Sequence, residues 1–86
     1  MANPLTYRQR AKMHQKQAAA YDRMARLQMQ EANNAYAPLG ATSTIADWKD
    51  VIALFEQAHA YDRESDSHGQ QAAAYNALAD AAGEPV

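Results

Sequence analysis

Between Pro4 and Pro38 the chain carries neither glycine nor proline, and that uninterrupted stretch constrains the fold more than any other feature. Its start is marked by Thr6-Tyr7-Arg8-Gln9, a capping box in which the Thr hydroxyl accepts from the N3 amide and the Gln side chain reaches back. Asn3-Pro4 offers a competing start a turn earlier. Helix 1 is therefore expected over about residues 5–34, roughly 45 Å long at 1.5 Å per residue. The segment AYAPLGATST combines Pro38, Gly40 and small hydroxyl residues and reads as the loop, residues 35–43. Thr44, with Asp47 three residues on, opens helix 2, expected over 44–64. The polar run RESDSHG then reads as a turn. Ser67-x-x-Gln70 opens helix 3 over 67–82, which Gly83 and Pro85 close.

These elements predict one all-α domain over 1–86, a small three-helix bundle with a long helix 1, a central hydrophobic helix 2 and a short Ala-rich helix 3. Projection at 100° per residue assigns the faces. In helix 1, Tyr7, Ala11, His14, Ala18, Tyr21, Ala25 and Ala32 follow an alternating 4-3 spacing, with Met13, Ala20, Met24 and Leu27 on an adjoining strip. In helix 2 the apolar arc is Ile45, Trp48, Val51, Ile52, Leu54, Phe55, Ala58 and His59, which marks it as the core and places Trp48 inside. Alanine is about a quarter of the chain. It secures helices while burying little area, so packing energy is expected to be modest. A helix 1 this long outreaches two shorter neighbours, and its uncovered strip is expected to pack on another chain.

Charge is segregated. Residues 1–30 hold six Lys or Arg against Asp22 alone, and the remainder holds nine acids against Lys49 and Arg63. Arg8, Lys12 and Lys16 stand at i, i+4, i+8, with Arg23 and Arg26 further along the same side. Like charges at that spacing oppose each other in an isolated helix, so an acidic surface facing them gives the row a purpose. An acidic protein surface ranks ahead of nucleic acid, because the chain is net acidic, −2, and has no nucleic-acid reading motif.

No cysteine is present, which excludes a disulfide scaffold and a thiolate zinc site. His14, His59 and His68 lie on three separate segments without a His-x-x-x-His pair, so no metal is expected and no cofactor is implied. Asp62 projects into the apolar arc of helix 2 and is read as a hydrogen-bonding or ion-paired carboxylate rather than a catalytic one. No nucleophile with a placed base and no phosphate-cradling loop is encoded, so a non-enzyme is expected. The first residues, MANPLTYRQRAKMHQKQ, contain no apolar run. Neither a signal peptide nor a membrane span is expected, and the cytoplasm is the default compartment.

Ala58-x-x-x-Asp62, a short polar turn and a Tyr-bearing small-residue helix at Tyr75 are loosely similar to the helical pairs of tetratricopeptide-type and microtubule-interacting-and-transport-type modules. The resemblance implies an α-hairpin in the second half of the chain.

One word is written twice: HQKQAAAYDRMARL at 14–27 and HGQQAAAYNALADA at 68–81, identical at seven of fourteen positions. Three alanines allow a close helix approach and the Tyr closes the contact. The two words are expected to be docking seams on helices 1 and 3, both against helix 2. The functional expectation is a small interaction protein (adaptor, assembly subunit or inhibitor of a larger complex) that meets an acidic protein surface. The basic residues Arg8, Lys12, Lys16, Arg23 and Arg26 and the aromatic strip with Tyr7 and Tyr21 are its working surface. A nucleic-acid-binding helical protein and a purely structural homo-oligomeric subunit are the alternatives.

Overall fold

The computed structural model describes residues 4–85. The chain is all-helical there, a single antiparallel hairpin of α1 (Tyr7–Tyr36) and α2 (Ile45–Ala81), with no strand among the described residues. Both helices begin where the sequence predicts. Thr6 Oγ1 accepts from Gln9 N while Gln9 Oε1 accepts from Thr6 N, and Thr44 and Asp47 repeat that exchange at the start of α2. The connection over residues 37–44 is a short irregular loop, tightened where Ser43 N donates to Gly40 O and Gly40 N donates to Ser43 Oγ.

The expected break between a second and a third helix is absent: α2 runs through Ser67 and Gly69 for 37 residues. Ser67 does not cap; its hydroxyl instead accepts from Gln71 Nε2, one helical turn on. A single glycine inside a helix costs only about 1 kcal/mol relative to alanine. The seam residues Tyr61, Ser65, His68, Ala72 and Tyr75 continue across that point at unbroken 4-3 spacing, so packing on α1 exceeds the cost. The hairpin that the family resemblance implies for the second half of the chain is therefore not formed: that half is one helix, and the hairpin observed joins α1 to α2 with its turn at 37–44.

No central helix exists either. The two helices share one seam, whose buried residues are Ala11, Ala25 and Ala32 of α1 and Val51, Ala58, Ala72 and Ala79 of α2. Among the described residues no large side chain is fully buried. The strongest apolar cluster of the sequence is split: Val51 and Ala58 are on the seam, while Ile45 is 75% exposed, Ile52 53% and Trp48 38%. The 37-residue α2 matches α1 in length, but the adjoining strip of α1 stays uncovered, with Met13 50%, Met24 40% and Leu27 64% exposed.

The open end of the hairpin is tied by its last described residues. Gly83 takes φ +70°, Glu84 N donates to Ala79 O and Gly83 N donates to Asp80 O, a Schellman termination. This turn aims Glu84 across the hairpin, where its carboxylate accepts from Tyr7 N and Arg8 N, both at 3.1 Å. The first turn of α1 has no acidic residue of its own, so Glu84 supplies the negative charge that a helix N-terminus favours. The Arg8 guanidinium adds hydrogen bonds to Asn76 Oδ1 and Pro85 O and an ion pair with Asp80.

The result is a rod of 62 × 26 × 15 Å with a radius of gyration of 19.0 Å, against about 12 Å for a compact domain of this length.

Two outcomes follow. Gly69→Ala is expected to raise stability by about 0.5–1 kcal/mol in urea unfolding, because nothing lies within 4 Å of the added Cβ; a loss would restore the helix break. Glu84→Gln is expected to lower stability by about 1 kcal/mol and to fray the first turn of α1, read by amide exchange at Tyr7 and Arg8.

Candidate interaction surface

A column of six rings runs through the seam. Tyr7, His14 and Tyr21 stand seven residues apart on α1, as do Tyr61, His68 and Tyr75 on α2. In order the contacts are Tyr7–Tyr75 (6.2 Å between centroids), Tyr75–His14 (5.5 Å), His14–His68 (5.1 Å), His68–Tyr21 (5.6 Å) and Tyr21–Tyr61 (6.2 Å). Exchanging the helices, His14 for His68, Tyr21 for Tyr75 and Tyr7 for Tyr61, maps each contact onto its counterpart. The column is therefore locally twofold about the His14–His68 contact. The repeated words do not dock separately on a middle helix; they pack antiparallel on each other.

At the centre, His14 Nδ1 and His68 Nδ1 are 2.8 Å apart, so one imidazole donates and the other accepts. Alanines flank every ring along each helix, and Ser65 Oγ donates to Ala18 O at 2.8 Å. Arg10 lies over the outer face of Tyr75, 5.8 Å from the ring centroid. A separate aromatic group closes the loop end, with Tyr36 edge-on to Trp48 (6.1 Å) and to Phe55 (6.5 Å).

The sequence-predicted residues therefore divide. Tyr7 and Tyr21 are half-buried in the column, and Arg8 is held in the open-end clamp. Lys12, Lys16 and Arg23 are exposed on the back of α1 and make no ion pair among the described residues. Arg26 is also exposed and pairs only with Asp22 on its own helix, at 3.1 Å, a surface contact worth a few tenths of a kcal/mol. The exposed acids of α2, Glu56, Asp62, Glu64 and Asp66, are spread around its outer circumference, with Asp62 and Asp66 on the flank beside the groove and the cations Lys49 and Arg63 also exposed. The charge asymmetry of the sequence thus becomes a difference between the helices, α1 basic on its outside and α2 carrying the excess of acids.

A shallow groove beside the seam is lined by Asp22, Ala25, Arg26 and Met29 of α1 and Ala58, His59 and Asp62 of α2. Asp62 is exposed on its rim, not enclosed. Among the described residues no three potential ligands converge on a metal position. No helix there is long and apolar enough to cross a membrane.

Two participants were not singled out from sequence. Glu84 is recognisable only once Gly83 is seen to turn the chain back, and Arg10 only once Tyr75 is known to face α1. Compared with known protein families, characterised proteins and solved structures, the chain shows no significant match.

The imidazole pair makes a specific prediction. His68→Phe alone should destabilise the hairpin by about 1 kcal/mol, since it leaves His14 Nδ1 without its partner. The double change His14→Phe/His68→Phe should recover most of that loss, because stacking persists and neither group is orphaned. Additive losses in thermal unfolding would show that the Nδ1 contact contributes nothing.

Proposed function

We propose that the protein is a non-enzymatic protein–protein interaction module, an adaptor, assembly subunit or inhibitor of a larger complex, that presents the basic back of α1 to an acidic protein surface. The observation that carries this reading is the exposed, uncompensated row of Lys12, Lys16 and Arg23, with Arg26 beside it. Lys16 and Arg23, seven residues apart, form its crest. Tyr7, Tyr21 and Arg8 serve it indirectly by holding the two helices together. A rod keeps these charges at fixed spacing, and charge complementarity then selects the partner and speeds encounter.

The acids of α2 rank nucleic acid below protein. They offset the cations of α1 to a net charge of −2, which lowers the long-range attraction of the chain to a polyanion.

The test is a pull-down from host lysate with wild type and with Lys16→Glu/Arg23→Glu. Both positions are exposed and unpaired, so stability should change by less than about 0.5 kcal/mol. A specific protein band lost only in the variant supports the reading. A band retained by the variant, or DNA binding with a steep salt dependence that the variant abolishes, overturns it.

A further inference from the structure

The hairpin leaves uncovered a second seam, whose apolar part the interaction reading does not use. On one flank of α2, Ile45, Trp48, Ile52, Phe55, His59, Asp62 and Asp66 recur at alternating 3-4 spacing. On the same flank of α1, Lys12, Asp22, Arg26, Met29 and Tyr36 recur at the matching period. Contacts between the helices place the two series side by side: Tyr36 against Trp48 and Phe55 at the loop end, the Asp22, Arg26, Met29, His59 and Asp62 groove in the middle, and Arg8 against Asn76 at the open end. Along this flank the loop end is apolar, with Ile45, Ile52 and Tyr36 each more than half exposed. Toward the open end α1 is basic and α2 is acidic.

We propose that this flank is the interface of a homodimer in which two hairpins lie side by side with their loop ends together, forming a four-helix bundle centred on Trp48, Ile45 and Ile52. Three observations select a second copy as the occupant. The chain exposes 6408 Å², whereas a compact protein of this mass exposes about 5,000 Å²; the surplus exceeds the roughly 800 Å² that each partner contributes to a stable interface. The pairing is self-complementary, as a twofold interface requires. With loop ends together, α1 of one copy lies beside α2 of the other, so apolar meets apolar around Trp48, while Arg26 faces Asp62 and Lys12 faces Asp66. Reversing one hairpin would set Ile45, Trp48 and Ile52 against those charges, so the pattern fixes the orientation.

This interface takes up Lys12 and Arg26 at its edge and leaves Lys16 and Arg23 on the outside, so the two associations are separated by substitutions at Lys16 and Arg23 on one side and at Ile45 and Ile52 on the other. The test is light scattering at about 100 µM on wild type and on Ile45→Lys/Ile52→Lys. Both residues are exposed in the hairpin, so circular dichroism should show its helicity intact. Wild type is expected to be a dimer, with emission of Trp48, the sole tryptophan, shifting to the blue as concentration rises. The Lys variant should bind itself at least about 100-fold more weakly. Lys12→Glu or Asp66→Lys alone should weaken the dimer, and the two together should restore it. Spin labels at Ser43→Cys should lie within about 40 Å of each other, the span of two loops capping one bundle of helices 8–10 Å apart. A monomer with intact helicity, a dimer indifferent to the Ile45 and Ile52 changes, or labels separated by the 62 Å length of the rod would overturn the proposal.

Discussion

The structure depends on a single seam in which alanine and ring alternate. With two helices and no third layer, each helix has only the other against which to bury its stripe. Alanine at Ala11, Ala25 and Ala32, facing Ala58, Ala72 and Ala79, brings the backbones close, but each buried methyl contributes little hydrophobic energy. The larger area comes from the six half-buried rings, which stack with nearly parallel planes along the axis. Every other feature of the hairpin follows from keeping that column in register. The imidazole contact pins its centre, the Tyr36, Trp48 and Phe55 group closes one end, and Glu84 with Arg8 closes the other.

Local signals were legible in the sequence where they depend on neighbours in the chain. Thr6 with Gln9 and Thr44 with Asp47 fix both helix starts, Pro38 and Gly40 mark the turn, and Gly83 marks the end. The 4-3 stripe of α1 was also legible. What covers that stripe was not, because a polar, glycine-bearing segment at 63–69 has the composition of a turn. Contacts with α1 hold it helical: Tyr61 and Tyr75 on either side of it, and Ser65 and His68 within it. Similarly, a hydrophobic arc is ordinarily a core. Here Ile45, Trp48 and Ile52 stand off the seam because Val51, Leu54 and Ala58, on the adjoining line of α2, continue the period that the rings set.

The same register explains why the candidate surface differs from a simple reading of helix 1. An aromatic stripe and a basic stripe on one helix look like parts of one docking face. In the hairpin they point different ways: the aromatic stripe faces α2 and the basic one faces solvent. Tyr7 and Tyr21 thereby become structural, while Lys12, Lys16, Arg23 and Arg26 remain accessible to a partner.

A two-helix rod with small buried side chains has a consequence for how it can recognise anything. Its seam is occupied along the whole length and cannot open to admit a ligand without losing the contacts that define the fold. Recognition must therefore use the outer faces, and these differ in kind. The outside of α1 carries exposed cations, suited to orienting a partner at a distance. The flank at the loop end carries uncovered isoleucine, tryptophan and tyrosine, suited to burial once contact is made. On the two proposals made above, long-range selection and short-range burial fall on different parts of the surface, so a substitution on the crest of α1 and one at Ile52 should alter different associations of the same molecule.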